Sequence, residues 1–139
     1  MNTTRRILTP GPDHPISITA HDGRVQVMVD GRTVADSRHA LRLDEAAYAP
    51  VFYLPIADVD MTLLERSAHA SYCPYKGDCT YYDLKVGERL VPNAVWHYAA
   101  PYAAVQAIAD RVAFYADRVD AILVDDAPFE RAAGHPAVR

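Results

Sequence analysis

Lysine is nearly absent from this chain: only Lys76 and Lys85 occur, beside twelve arginines. The bias fits a GC-rich coding sequence. It singles out each lysine, because lysine can lose its proton and arginine cannot. Basic runs are missing too. Arg5-Arg6 is the only adjacent basic pair and the formal net charge is -4. The positive face that phosphate neutralisation needs is therefore not encoded, and nucleic-acid binding is not expected. No apolar run nears the ~20 residues that span a bilayer, so no membrane segment is expected. The start, MNTTRRILTPGPDHP, has two arginines with no apolar stretch behind them, unlike a secretory signal. Cysteine is limited to Cys73 and Cys79. A disulfide framework uses more, so free thiols in the cytoplasm are expected. There is no G-x-G-x-x-G or P-loop pattern. The six histidines show no H-x-H or H-x-x-x-H pairing. No metal site and no cofactor are expected.

What is present suits one modest domain. The chain has 139 residues, half of them hydrophobic. Pro10, Gly11, Pro12 and Pro15 mark residues 1–15 as an arm without regular structure. Residues 16–126 read as a single β-rich domain, and residues 127–139 as a flexible tail. Asp22-Gly23 and Asp30-Gly31 are tight-turn signals. Between them Val25, Val27 and Val29 alternate with Arg24, Gln26 and Met28, the period-2 pattern of a half-buried strand. The expectation is a three-stranded meander over Ile16–Ser37. ALRLDE continues the pattern, with Leu41 and Leu43 on one face. VFYLP is a short strand. In ADVDMTLLERS, Asp58 is placed to cap a short helix with Met61 and Leu64 inward. CTYYDLKV and NAVWHYA read as strands, and Gly87-Glu88 as a turn. PYAAVQAIADR puts Tyr102, Val105, Ile108 and Ala109 on one helical stripe. VAFYADRVDAILVDD gives two closing strands. About eight strands and one clear helix imply a mainly antiparallel β domain.

The densest stretch is SYCPYKGDCTYY, Ser71 to Tyr82, with both cysteines, four tyrosines and one lysine. YCPYKGDCTYY, GRTVADSRHALRLDE, PVFYLPIADVDMTLLERS, NAVWHYAAP and VAFYADRVDA together resemble the domain-of-unknown-function family 427. The resemblance runs from about His14 to Val124. Cys-Pro-Tyr-Lys-Gly and the later Trp-x-Tyr are its most specific motifs. It implies a mainly β, antiparallel, β-tent-like domain with one or two short helices. β-Tent relatives carry a structural zinc on Cys-x-x-Cys pairs; this chain has no such pair, so its core must hold the fold unaided. The nucleotidyltransferase-like label sometimes given to the family finds no support in the residues. Asp58 and Asp60 have an Asp-x-Asp spacing, but no Gly-Ser phosphate loop precedes them. Where the family usually has a small residue, this chain has Cys79, which argues against a shared chemistry at that thiol.

Several side chains here are candidates for chemistry. Cys73 becomes a nucleophile if a cation such as Lys76 lowers its pKa. Equally, it is a buried thiol under a turn. Lys76 is suited to an anionic ligand, to activating Cys73, or to a structural pair with Asp78 or Glu65; Gly77 beside it permits close backbone approach. Asp78 and Glu65 are acid candidates, and Asp78 also suits a turn cap. Trp96 and Tyr98 share one strand face, and Tyr81 with Tyr72 or Tyr75 could complete an aromatic pocket. The competing reading makes Trp96 a core anchor.

Three functions follow. The first is a small-molecule binding module with Lys76 and the aromatics as its pocket. The second is an enzyme using Cys73, Lys76 or a nearby carboxylate as nucleophile or acid/base. The third is a scaffold whose turn only fixes the fold. Edge strands of a small sheet also make a homodimer an expectation.

Overall fold

The computed structural model describes residues 5–129. Eleven strands among them form two antiparallel sheets, and the protein is mainly β. The larger sheet runs in the order β1 (Ile16–Ala20), β4 (Leu41–Glu45), β5 (Val51–Pro55), β9 (Arg111–Phe114), β8 (Arg89–His97), β7 (Gly77–Val86), β6 (Leu64–Cys73). The smaller has the order β11 (Ala127–Pro128), β10 (Ala121–Val124), β2 (Val25–Val29), β3 (Arg32–Ser37). No helix among the described residues is long and apolar enough to cross a membrane.

The expected meander over Ile16–Ser37 is only half right. Asp30 and Gly31 take φ of 50° and 74° and close the β2–β3 hairpin, as a two-residue turn with positive φ requires. Asp22-Gly23 does not close a hairpin. β1 pairs with β4 in the larger sheet, so the chain uses Asp22-Gly23 to cross to the smaller one. A Cβ on Gly23 would stand 2.0 Å from Asp125 Oδ1. That carboxylate accepts the Arg24 backbone N–H at 2.8 Å. Glycine is needed there for close approach, not for a hairpin.

Three other expectations change. The run Leu64–Cys73 is a ten-residue strand, although its outward residues hide any alternation: it is an edge strand with an irregularity in register between Arg66 and Ala70. Asp58 caps nothing; it accepts the Ser37 hydroxyl at 2.6 Å. Asp60 is the N-cap, of a single 3-10 turn at Met61–Leu63 whose buried residue is Leu63. The segment Ala103–Ile108 is 3-10 and kinked at Val105 rather than an α-helix, yet Val105 and Ile108 are fully buried as the stripe implies. At the carboxyl end, Ala127–Pro128 pairs with β10 and Phe129 packs on Phe52. The rest of the expected tail, 130–139, and residues 1–4 of the arm lie outside the described residues.

The alternation of side chains gives the larger sheet two apolar faces. Leu54, Val95 and Phe114 point into a core shared with Val25, Val27 and Ile122 of the smaller sheet. Their neighbours Tyr53, Trp96 and Ala113 point the other way, into a second core closed by Val105 and Ile108. Three strands, β5, β9 and β8, lie between β4 and β7. The end of β4 nevertheless touches the β6–β7 turn through Glu45 and Lys76. Twist accumulating across the strands curls the sheet around this second core.

Candidate functional site

The Cys-Pro-Tyr-Lys-Gly stretch is the β6–β7 turn, with Cys73 opposite Gly77 in register. Gly77 has φ of 109°, which side-chain-bearing residues rarely adopt. Three parts of the chain meet at the turn: its own strands, residues 100–102 and the arm. The Lys76 N–H donates to Cys73 O at 3.2 Å, and Tyr102 N–H donates to Lys76 O at 3.0 Å. Leu8 N–H of the arm donates to Pro74 O at 3.0 Å. Gly77 faces Ala100 and Pro101, so its close backbone neighbour is the chain itself.

Lys76 is fully buried, and its Nζ donates to Glu45 Oε1, also fully buried. The expected structural partners, Asp78 and Glu65, are not used. Both oxygens of Asp78 accept from Arg5 Nη1, at 2.6 and 2.7 Å. Glu65 lies on exposed β6, opposite Asp83. The second oxygen of Glu45 is 2.6 Å from His14 Nε2. The His14 ring is stacked on Tyr75, with centroids 4.0 Å apart and planes 6° apart. Glu45 is therefore an internal carboxylate held between an ammonium and an imidazole. Only the imidazole side reaches solvent, the His14 side chain being 17% exposed.

Cys73, Cys79, Tyr81, Trp96 and Tyr98 do converge, as parts of the second core. They are packed rather than arranged around an open cavity. Trp96 Nε1 donates to the Tyr53 hydroxyl at 3.1 Å. The Tyr81 and Ser71 hydroxyls are 2.8 Å apart. The buried Tyr98 hydroxyl has no hydrogen-bond partner of ordinary geometry among the described residues. Burial pushes the phenols of Tyr53, Tyr81, Tyr98 and Tyr115 up, and the Cys79 thiol likewise. These groups stay neutral at pH 7. Cys73 and Cys79 are both free and buried.

Tyr72 stands apart from that core, at the surface. Its hydroxyl donates to Arg6 O at 2.6 Å and lies 2.7 Å from the Tyr102 hydroxyl. The Arg5 guanidinium sits 4.5 Å above its ring. Desolvation, and next the Tyr102 hydroxyl, push this phenol up to about 12.

Two residues of the cluster escape the sequence reading. Glu45 carries a readable signal: Leu41 and Leu43 face inward, and Glu45 occupies the next inward position of the same strand. A charge there calls for a buried partner. His14 carries none, since it enters from an arm without periodicity. Among the described residues no group of three or more His, Cys, Asp or Glu side chains is placed to hold a metal ion. Comparison with curated proteins returns no match. Residues 17–125 match the family model for a domain of unknown function, DUF427, and the chain belongs to that family.

Proposed function

We propose that this domain binds a small molecule beside the Cys-Pro-Tyr-Lys-Gly turn, where Glu45 is the polar anchor and Tyr75 the flat wall. The ligand is a planar nitrogen compound that donates an N–H. The supporting observation is the His14 imidazole, stacked on Tyr75 at 4.0 Å and bonded to Glu45 Oε2 at 2.6 Å. An arm that belongs to neither sheet thus presents a flat N–H heterocycle to the turn, and the ligand takes its place. Lys76 compensates the charge of Glu45 from behind. A neutral donor therefore suffices, and a full second cation is not needed. Lys76 acts through Glu45 rather than by touching the ligand. The aromatic core of Tyr81, Trp96 and Tyr98 supports the turn from beneath.

The test is ligand-observed NMR with imidazole, guanidinium and adenine on the full chain. Removing His14 takes away an in-chain competitor. A hydrogen bond to a charged group is worth about 1.5–3 kcal/mol, so His14→Gly should tighten binding about tenfold or more. Tyr75→Leu should weaken it. If none of the probes binds wild type or His14→Gly, or if binding ignores Tyr75→Leu, the reading fails and the turn is a scaffold.

One observation favours an enzyme as the second reading. A carboxylate bonded to one imidazole nitrogen is how acid/base histidines are oriented. That reading predicts the opposite response: His14→Gly loses activity instead of gaining affinity.

A further inference from the structure

Two of the chain crossings between the sheets leave a cleft outside the turn site. It lies where the β1–β2 connection runs beside the β3–β4 connection, with His21 N–H donating to Ala40 O at 2.9 Å. Arg38, Arg111, His21, His39 and Asp22 line it. The two arginines differ from the five surface arginines that hold an ion pair with aspartate, Arg5, Arg24, Arg32, Arg42 and Arg89. Arg38 makes no ion pair or side-chain hydrogen bond among the described residues. Arg111 has no carboxylate within ion-pair distance there; its Nη1 donates to two main-chain oxygens, His39 O and, at 3.5 Å, Tyr53 O.

We propose that this cleft binds a small oxyanion, a phosphoryl or carboxylate group, bridged between Arg38 and Arg111. Main-chain carbonyls orient the Arg111 guanidinium without cancelling its charge. That leaves the rest of its fork for an acceptor in the cleft. Burial pulls the Arg111 guanidinium below its ordinary range, with Asp58 and Asp110 opposing the shift. A bound anion would relieve the same desolvation from the open side. His21 is 3.2 Å from Asp125 Oδ2, and the Arg38 charge acts on Asp125 and on Asp36 behind the cleft. Asp22 is the one carboxylate in the lining and opposes binding. In a chain of net charge -4 the site gains nothing from overall attraction. Its selectivity has to come from local geometry.

Isothermal titration with inorganic phosphate, with methylphosphonate and with acetate, against sodium chloride at equal ionic strength, tests this. Saturable binding above the chloride control is expected. The stronger of the phosphorus and acetate arms names the group. Arg38→Gln, at an exposed side chain with no hydrogen bond or ion pair among the described residues, should weaken binding about tenfold, the loss of one charge-assisted contact. Asp22→Asn should strengthen it. A phosphate and acetate response no greater than chloride overturns the proposal, as does wild-type affinity in Arg38→Gln. The turn site is untouched by either variant, so this result and the test of that site are read separately.

Discussion

Replacing Lys76 with methionine isolates the buried pair. Both members have no exposed side-chain surface. Methionine keeps most of the lysine stem but removes the ammonium, leaving the Glu45 carboxylate in the interior with His14 alone. Removing one partner of a buried pair typically costs about 3–5 kcal/mol, several times the ~0–1 kcal/mol of an exposed pair. For a domain of this size that is a fall in Tm of roughly 10–20 °C. Urea unfolding followed by fluorescence suits the measurement, because Trp96 is the only tryptophan and sits in the affected core. The double variant Lys76→Met with Glu45→Leu removes both charges. It should be more stable than Lys76→Met alone, since an apolar pair of similar volume carries no desolvation cost. Two results would refute the reasoning. One is a Lys76→Met variant within about 1 kcal/mol of wild type, the range of an exposed pair. The other is a double variant at least as unstable as the sum of the singles.

Gly77→Ala should destabilise by at least about 1–2 kcal/mol, because φ is 109° there; a Cβ would meet only an ordinary 3.5 Å contact with Ala100 O, so the backbone and not crowding sets the effect. Equal stability by denaturant titration would count against the turn geometry. Both thiols should resist a soluble aromatic disulfide in the native state and react at once in denaturant; prompt native labelling of Cys73 would restore it as a nucleophile. Stability should also fall at alkaline pH. Burial raises the Cys79 thiol and the Tyr53 and Tyr98 phenols in the folded state. The folded chain therefore keeps protons that the unfolded chain releases above about pH 9 to 10, so their contribution is complete below that range and falls as pH rises above it toward the higher folded values. The tyrosinate absorbance of the buried phenols should appear together with unfolding, and ionisation of all nine tyrosines without loss of circular dichroism would contradict it.

Local pattern alone determined much of the protein. Alternation in VQVMV and ALRLDE, the Asp30-Gly31 turn and the buried stripe of Val105 and Ile108 depend on neighbours in sequence, so each is readable from it. The same residues also mark the β6–β7 turn: Gly77 for its backbone and Lys76 as an isolated amine. Even Glu45 is announced by its inward position on β4. Tertiary structure decided the rest. Asp22-Gly23 looks identical to Asp30-Gly31, and only the pairing of β1 with β4 makes it a crossing between sheets. Leu64–Cys73 has no alternation because an edge strand exposes both its faces to the selection of polar residues. The pairing of Lys76 with Glu45, 31 residues away, and of Glu45 with His14, follows from the curl of a seven-stranded sheet. That curl sums small twists over many strands, and no short stretch of sequence contains it.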